Sequence, residues 1–269
     1  MSEPDLQKGG WKALEVERLD HVLRITIRHP SSELNAVDEL LHDEFGALFR
    51  SLRREREARA VVLTGSQRAF SAGGDFQWLS TFTDLTSLDP LRHDAKQLLT
   101  DLLDVEIPIV AALNGHAVGL GASIALLCDV IFMAEGATLA DPHVRVGIVA
   151  GDGGTVIWPL VLGPARAKQF LLTGDAVTAV EAERLGLVNR VVPAAARQDE
   201  ALAFAKRLAA GAPLAIRYTK LAVNQWIKQT ALTAFDYATA LEIVTFQSDD
   251  HKEALAALRE KRKPNFEGK

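Results

Sequence analysis

The stretch from Pro108 to Asp129, PIVAALNGHAVGLGASIALLCD, constrains the fold of this chain more than any other. Its run IVAAL is short and apolar and follows a proline, which is typical of a strand buried on both faces of a sheet. Asn114-Gly115 is a turn dipeptide, and helical spacing begins around Gly119 and Gly121. The stretch therefore predicts a strand, a glycine-rich turn and an apolar helix.

A glycine-rich turn of this kind lets a ligand approach the backbone closely. The first N–H groups of a helix have no partner within it, and they lie at the positive end of the helix dipole. The motif GHAVGLG does not match the dinucleotide-binding pattern G-x-G-x-x-G. Residues 60–75, AVVLTGSQRAFSAGGD, form a second apolar strand that leads into glycines. Two converging N–H groups are what an oxyanion hole requires, so the two turns predict a site for developing negative charge.

Strand and helix patterns alternate over most of the chain, which predicts an α/β fold with right-handed crossovers. After about residue 194 the strand patterns stop, and four apolar-periodic stretches predict helices. We therefore divide the chain into an α/β core over residues 1–194 and a helical C-terminal segment over residues 195–269. Residues 76–90 have weak periodicity, and we predict a mobile segment there, followed by a helix over residues 91–104.

Composition excludes several classes of protein. The net charge of −5 argues against a surface that binds nucleic acid or an anionic membrane. No apolar run approaches the ~20 residues of a membrane span, and the polar start, residues 1–12, is predicted to be disordered. We expect a cytoplasmic protein. The single cysteine, Cys128, is expected to pack as a small hydrophobe, and the scattered histidines predict no metal site.

Four stretches, in order, resemble signatures of the crotonase (enoyl-CoA hydratase/isomerase) superfamily. They are VVLTGSQRAFSAGGD, NGHAVGLGASIALLCD, DPHVRVGIVAGDGGTVIWPL and LLTGDAVTAVEAERLGLVNRVVP. The resemblance extends from about Leu14 to about Phe266. It implies a fold of repeated ββα units with a helical C-terminal trimerisation segment. It also implies a homotrimer or homohexamer that acts on acyl-CoA thioesters, with coenzyme A as part of the substrate and no other cofactor.

The resemblance also places the parts of an oxyanion hole. Its two backbone N–H groups correspond to Gly74 and Leu120, and the leucine side chain would restrict the acyl group because the family usually has glycine there. Asp75 is interpreted as the N-cap of the following segment. The neighbouring positions implied to bind substrate are Ala72, Gly73, Gly119 and Ser123.

The acid–base residues differ from the family pattern. Family hydratases use two glutamates, and the matching positions here carry Ser123 and His143. His143, with an unperturbed pKa of about 6.5, is a candidate general base. Asp152, in GDGG, is the candidate group that fixes its tautomer, or alternatively the N-cap of the next helix. Asp141 and Glu135 are interpreted as turn and strand-edge residues.

Three functions therefore remain open. The first is an enzyme of the family that stabilises a thioester enolate between Gly74 and Leu120. The second is a retro-Claisen hydrolase that uses His143 and Asp152, because HVRVGIVAGDG also resembles a crotonase relative that cleaves a carbon–carbon bond in a β-diketone. That relative has a further histidine in its central turn where this chain keeps Gly121. The third is a non-catalytic acyl-CoA-binding relative.

Overall fold

The structure, a computed structural model, describes residue 6 and residues 9–269. The predicted disorder of residues 1–12 lies partly outside the described residues. Within them, the Lys12 N–H donates a hydrogen bond to the Glu44 carboxylate over 2.6 Å, and Trp11 packs against the core. Residues 11 and 12 are therefore held in place, contrary to the prediction.

The strands form two sheets. The larger sheet has the order β1-β2-β3-β5-β7-β10 and is parallel except for the β1–β2 hairpin, and the smaller has the order β4-β6-β8-β9. The described strands are β1 (Leu14–Leu19), β2 (Val22–Ile27), β3 (Ala60–Gly65), β4 (Ala69–Ser71), β5 (Ile109–Leu113), β6 (His116–Val118), β7 (Val130–Ala134), β8 (Thr138–Ala140), β9 (Val177–Thr178) and β10 (Arg190–Val192).

The helices surround these sheets. A single-turn 3-10 helix, His143–Val146, lies between β8 and the fifth α-helix. The described α-helices are α1 (Glu39–Arg54), α2 (Phe76–Leu79), α3 (Leu85–Asp104), α4 (Leu120–Leu126), α5 (Gly154–Leu162), α6 (Pro164–Thr173), α7 (Ala179–Leu185), α8 (Arg197–Ala209), α9 (Pro213–Phe246) and α10 (Asp249–Glu260).

Two helical predictions require correction. The segment 76–90, predicted to be mobile, forms α2 and the beginning of α3, because Asp75 caps α2 and a capping box of Asp84 with Ser87 starts α3. Two of the four helices predicted after residue 194, over residues 213–227 and 231–247, form one helix of 34 residues, α9. The sequence between the two predicted helices contains no glycine or proline that would end the first one.

The topology places the glycine turns together. Strands β3, β5 and β7 of the large sheet each lead into a short strand of the small sheet, namely β4, β6 and β8. Both β3 and β5 are buried along their whole length, as the sequence predicts. Because β4, β6 and β8 are parallel neighbours, the turns that follow β4 and β6 lie side by side.

The C-terminal helices contribute to the core. Alanines of α8, spaced four residues apart, pack on the large sheet, while α9 packs against α3 and α5. Division of the chain after residue 194 remains a prediction. Cys128 is buried, and burial together with the charge of Asp129 raises the pKa of its thiol, as expected of a packed cysteine. Among the described residues, the helices are all too short or too polar to span a membrane.

Candidate active site

The two glycine turns are in contact. Gly73 has a φ of +80° and Gly119 a φ of +52°, values that residues with a Cβ rarely adopt. A Cβ atom on Gly73 would lie 2.8 Å from the carbonyl oxygen of Val118. The first turn is further held by Val37, whose N–H donates to the Gly73 carbonyl over 2.8 Å. Glycine at both positions therefore allows the two backbones to approach each other.

The predicted oxyanion donors lie beside a cavity. Gly74 and Leu120 both border a space of about 80 Å³. Leu120 is the first residue of α4, where a helix leaves its N–H groups without internal partners. Among the hydrogen bonds between described residues, none is donated by the N–H of either residue. Both groups can therefore donate to an oxygen of a bound molecule.

The rest of the cavity is mostly apolar with a few polar groups. The apolar residues are Val37, Trp78, Leu79, Leu88, Leu91, Ala95, Ile148, Ile243 and Phe246. The polar residues are His42, Arg92, His143, Asp152, Thr239 and Glu242. Such a cavity suits a ligand that is largely apolar and carries a few oxygen atoms.

The other predicted binding residues lie behind the cavity wall. Gly119 lies beside His143, since a Cβ on this glycine would be 3.4 Å from Cε1 of the imidazole. Ala72 does not border the cavity, and its N–H donates to the Leu34 carbonyl over 3.0 Å. Ser123 is fully buried below Gly153 and also lies away from the cavity. Neither Ala72 nor Ser123 is therefore placed to contact a ligand in this cavity.

His143 lies between two carboxylates. Its Nδ1 forms a short hydrogen bond with Oδ1 of Asp141, and its Nε2 lies 3.5 Å from Oδ2 of Asp152. The sequence assigned the orienting role to Asp152, but the residue on Nδ1 is Asp141. The reason is local: a turn at Pro142 starts the 3-10 helix and folds the imidazole back onto Asp141.

The surroundings of Asp141 and Asp152 define their roles further. The Asp141 side chain is fully buried beside Gly154, the first residue of α5, where the helix dipole favours a negative charge. Asp152 does not cap this helix, contrary to the alternative interpretation. The N-cap is Gly153, and no side chain caps it. Oδ1 of Asp152 is buried without a hydrogen-bond partner. Asp152 is thus available to a ligand.

The charge state of His143 follows from these neighbours. Burial acts to lower its pKa, but Asp141 and Asp152 more than offset this effect, and the pKa is raised well above 6.5. The imidazole is therefore protonated at neutral pH. The donor atoms of Asp141, His143 and Asp152 lie within 4.8 Å of one another, a spacing that a metal ion could also use. The expected absence of a metal remains a prediction.

Glu242 is the site residue that the sequence analysis missed. It lies on α9 and is 8 % exposed, and a Cβ on Gly151 would lie 2.6 Å from its Oε2. Burial and the nearby charge of Asp152 raise the pKa of Glu242 well above 4.5, which favours its protonated form. The only signal in the sequence is an acidic residue within the apolar run ALEIV.

Comparison with known proteins places the chain in a family. Residues 17–269 match the family model described as enoyl-CoA hydratase/isomerase. The chain is 34 % identical to a probable enoyl-CoA hydratase of Mycobacterium tuberculosis, over 95 % of this chain and 98 % of that protein. The protein therefore belongs to the enoyl-CoA hydratase/isomerase family, as the sequence motifs indicated.

Solved structures show the same fold. An enoyl-CoA hydratase/isomerase from Mycobacterium paratuberculosis superimposes with a TM-score of 0.86 at 37 % identity, covering 91 % of this chain and 98 % of that chain. A beta-diketone hydrolase from the cyanobacterium Anabaena, bound to (S)-3-oxocyclohexyl acetic acid, has a TM-score of 0.83 at 34 % identity, covering 88 % and 95 %. The predicted crotonase-like α/β fold is confirmed.

Proposed function

We propose that this enzyme stabilises the enolate of an acyl-CoA thioester, with the N–H groups of Gly74 and Leu120 binding the thioester oxygen. The observation that carries the proposal is the pair of unpartnered N–H groups facing the same cavity as a cluster of acid–base side chains. Hydrogen bonds of this kind act where charge develops, and losing one costs about 3 kcal/mol. Coenzyme A would enter only as part of the substrate.

Proton transfer in this proposal uses the resting charges of the site. When water adds to an enoyl thioester, the Asp152 carboxylate accepts a proton from water, and the remaining hydroxide bonds to the β-carbon. The imidazolium of His143 holds Asp152 in place and balances its charge. The protonated Glu242 then gives its proton to the α-carbon of the enolate. Return of the proton from Asp152 to Glu242 restores the site.

Asp152 and Glu242 would thus replace the two glutamates of family hydratases. The positions that match those glutamates carry Ser123, which lies behind the cavity, and His143, which is protonated. The same pair of groups could move a proton between two carbons of the acyl chain. Hydration and isomerisation therefore use one set of residues, and the preferred reaction depends on the substrate.

A second candidate function is hydrolysis of a carbon–carbon bond in a β-diketone. The arrangement of His143 between Asp141 and Asp152 favours activation of water, and a beta-diketone hydrolase is among the structures with this fold. Hydroxide would add to one carbonyl carbon, whose oxygen becomes the oxyanion. Cleavage of the adjacent bond would release an enolate, which Glu242 protonates.

Purified protein assayed against crotonyl-CoA, a dienoyl-CoA and a cyclic β-diketone separates these functions. We expect turnover of a thioester, because the oxyanion donors and both carboxyl groups share one cavity. Turnover of the diketone alone would replace the first function by the second. Binding of CoA esters in calorimetry without turnover of any substrate would identify a non-catalytic relative.

We also propose that the chain assembles as a trimer or a dimer of trimers. Large apolar side chains are exposed on α9, among them Trp226 at 60 % and Tyr237 at 71 %. Light scattering should give three or six times the chain mass of 29.2 kDa. Tyr237→Asp should lower that mass, whereas Leu172→Asp, which alters an exposed residue of α6, should not. A monomer at micromolar concentration would contradict the proposal.

A further inference from the structure

His42 is a buried histidine that the proposed chemistry does not use. It lies on α1, where its N–H donates to the carbonyl of Asp38, the N-cap, over 2.9 Å. The residue is 6 % exposed, and its imidazole borders the cavity. Its Nε2 is buried without a hydrogen-bond partner, and no hydrogen bond to Nδ1 is found among the described residues.

The other buried histidines in the described part of the chain each have a hydrogen bond at Nδ1, although Nε2 of His251 is, like that of His42, buried without a partner. Nδ1 of His29 accepts a hydrogen bond from the Ser31 N–H over 3.3 Å, and Nδ1 of His251 bonds to the Val146 carbonyl over 2.7 Å. A buried polar group without a partner destabilises the folded protein. A purely structural role for His42 would therefore lower the stability of the fold, and no hydrogen bond of its side chain to another described residue offsets that loss. A ligand in the cavity would supply the missing partner.

The chemistry of His42 limits what that ligand can be. Burial lowers its pKa, and the smaller opposing effects of Asp94, Asp43 and Asp152 do not restore it. The imidazole is therefore neutral at neutral pH, with one N–H donor and one nitrogen acceptor. A keto oxygen can accept from the donor, and a hydroxyl can use either nitrogen. An anionic group would face the charge of Asp152 in the same cavity.

The position of His42 separates it from the oxyanion donors. Val37, five residues earlier, is hydrogen-bonded to the glycine turn through the Gly73 carbonyl. Asp38 is extended and α1 begins at Glu39, so two non-helical residues and a helical rise of about 4.5 Å separate Val37 from His42. The ring of Trp78, with its centroid 5.4 Å from that of His42, lies beside it. An oxygen bound by His42 would thus lie several carbons from the carbonyl that is activated.

We infer that His42 selects substrates that carry a second, uncharged oxygen, either keto or hydroxyl, on the part of the molecule remote from the carbonyl held by Gly74 and Leu120. This inference rests on the proposed function, because it requires that carbonyl to bind at the two N–H groups. Most of the cavity wall, including Leu88 and Leu91, is apolar, so the rest of that part of the substrate is expected to be hydrocarbon.

Calorimetry with matched unreactive ligands tests the inference. Hexanoyl-CoA and 5-oxohexanoyl-CoA differ by one oxygen, as do cyclohexyl acetic acid and 3-oxocyclohexyl acetic acid. The unmodified protein should bind the oxo member of at least one pair about fivefold more tightly, the usual effect of one hydrogen bond of about 1 kcal/mol. In His42→Phe the ratio of the dissociation constants of the two ligands in that pair should fall to about one, because only the oxo ligand binds more weakly. His42→Gln should keep part of the preference.

The controls separate the possible failures. His21→Phe makes the same change at the exposed turn between β1 and β2, and it should leave every affinity unchanged. Equal binding of both members by the unmodified protein, or an unchanged preference in His42→Phe, would overturn the inference and leave the proposed function standing. If no thioester or keto acid binds to the unmodified protein, the proposed function fails together with the inference.

Discussion

Replacement of His143 by alanine is expected to lower kcat by about 10²–10⁴-fold, the usual contribution of a positioned base, because Asp152 then loses the imidazolium that holds it. The variant removes the imidazolium beside Asp152, so the carboxylate loses both its counter-charge and its fixed position. Affinity for an unreactive acyl-CoA should change little, because the N–H groups of Gly74 and Leu120 remain. Steady-state kinetics and calorimetry on the same preparation give both values.

Two further variants test the separate roles of Asp152 and Asp141, the carboxylates on either side of His143. Asp152→Asn should lose rate as severely as His143→Ala, and it should lose no stability from capping because Gly153 is the N-cap of α5. Asp141→Asn removes a charge that raises the pKa of His143, so the pH at which the imidazole loses its proton should fall, as NMR titration would show. Full activity in both His143→Ala and Asp152→Asn would mean that other residues perform the chemistry.

Replacement of Glu242 by glutamine is expected to lower the rate by about 10²-fold or more, because an amide cannot give a proton to the enolate. In the unmodified enzyme the raised pKa of Glu242 favours the protonated acid, so the rate should fall as the pH rises through that pKa. The Glu242→Gln variant should lose the part of this fall that is due to Glu242, because glutamine does not titrate. A pH–rate profile of both proteins measures it.

The same variant, Glu242→Gln, should gain folding stability at alkaline pH although it loses catalytic rate. A carboxyl whose pKa is raised by folding stabilises the protein fully below its unfolded pKa, and this contribution is lost as the pH rises through the folded pKa. Glutamine does not titrate, so Glu242→Gln should be more stable than the unmodified protein at alkaline pH. Thermal unfolding at several pH values would show this. An active Glu242→Gln with an unchanged alkaline limb would exclude Glu242 as the proton donor.

The sequence predicts the scaffold of the site well because its signals are local. Buried strands such as β3 and β5 appear as short apolar runs, and the glycines that follow them mark the turns. Caps such as Asp75 depend on neighbouring residues alone. The residue pattern alone did not predict β4 and β9 of the small sheet, because strands of two or three residues show no measurable alternation.

The sequence predicted His143 and Asp152 of the acid–base cluster. It did not predict the roles of Asp141 and Glu242, because these depend on tertiary packing. Asp141 lies next to a proline, and Asp-Pro is a common turn signal, so its role in orienting His143 was hidden. Glu242 is about a hundred residues distant along the chain and reaches the site only because α9 crosses the core beside α3 and α5. No local pattern indicates which residues of a long helix face a distant loop.

The turn before α5 ties the chemistry of the site to residues that take no part in it. A methyl group at Gly154 would collide with the carboxylate of Asp141, and one at Gly151 would lie 2.6 Å from Oε2 of Glu242. The acids and the glycines can therefore change only in concert during evolution or engineering. Redesign of this enzyme for another reaction has to change each acid together with the glycine that it contacts. A larger acid beside an unchanged turn would displace the loop that carries Asp152.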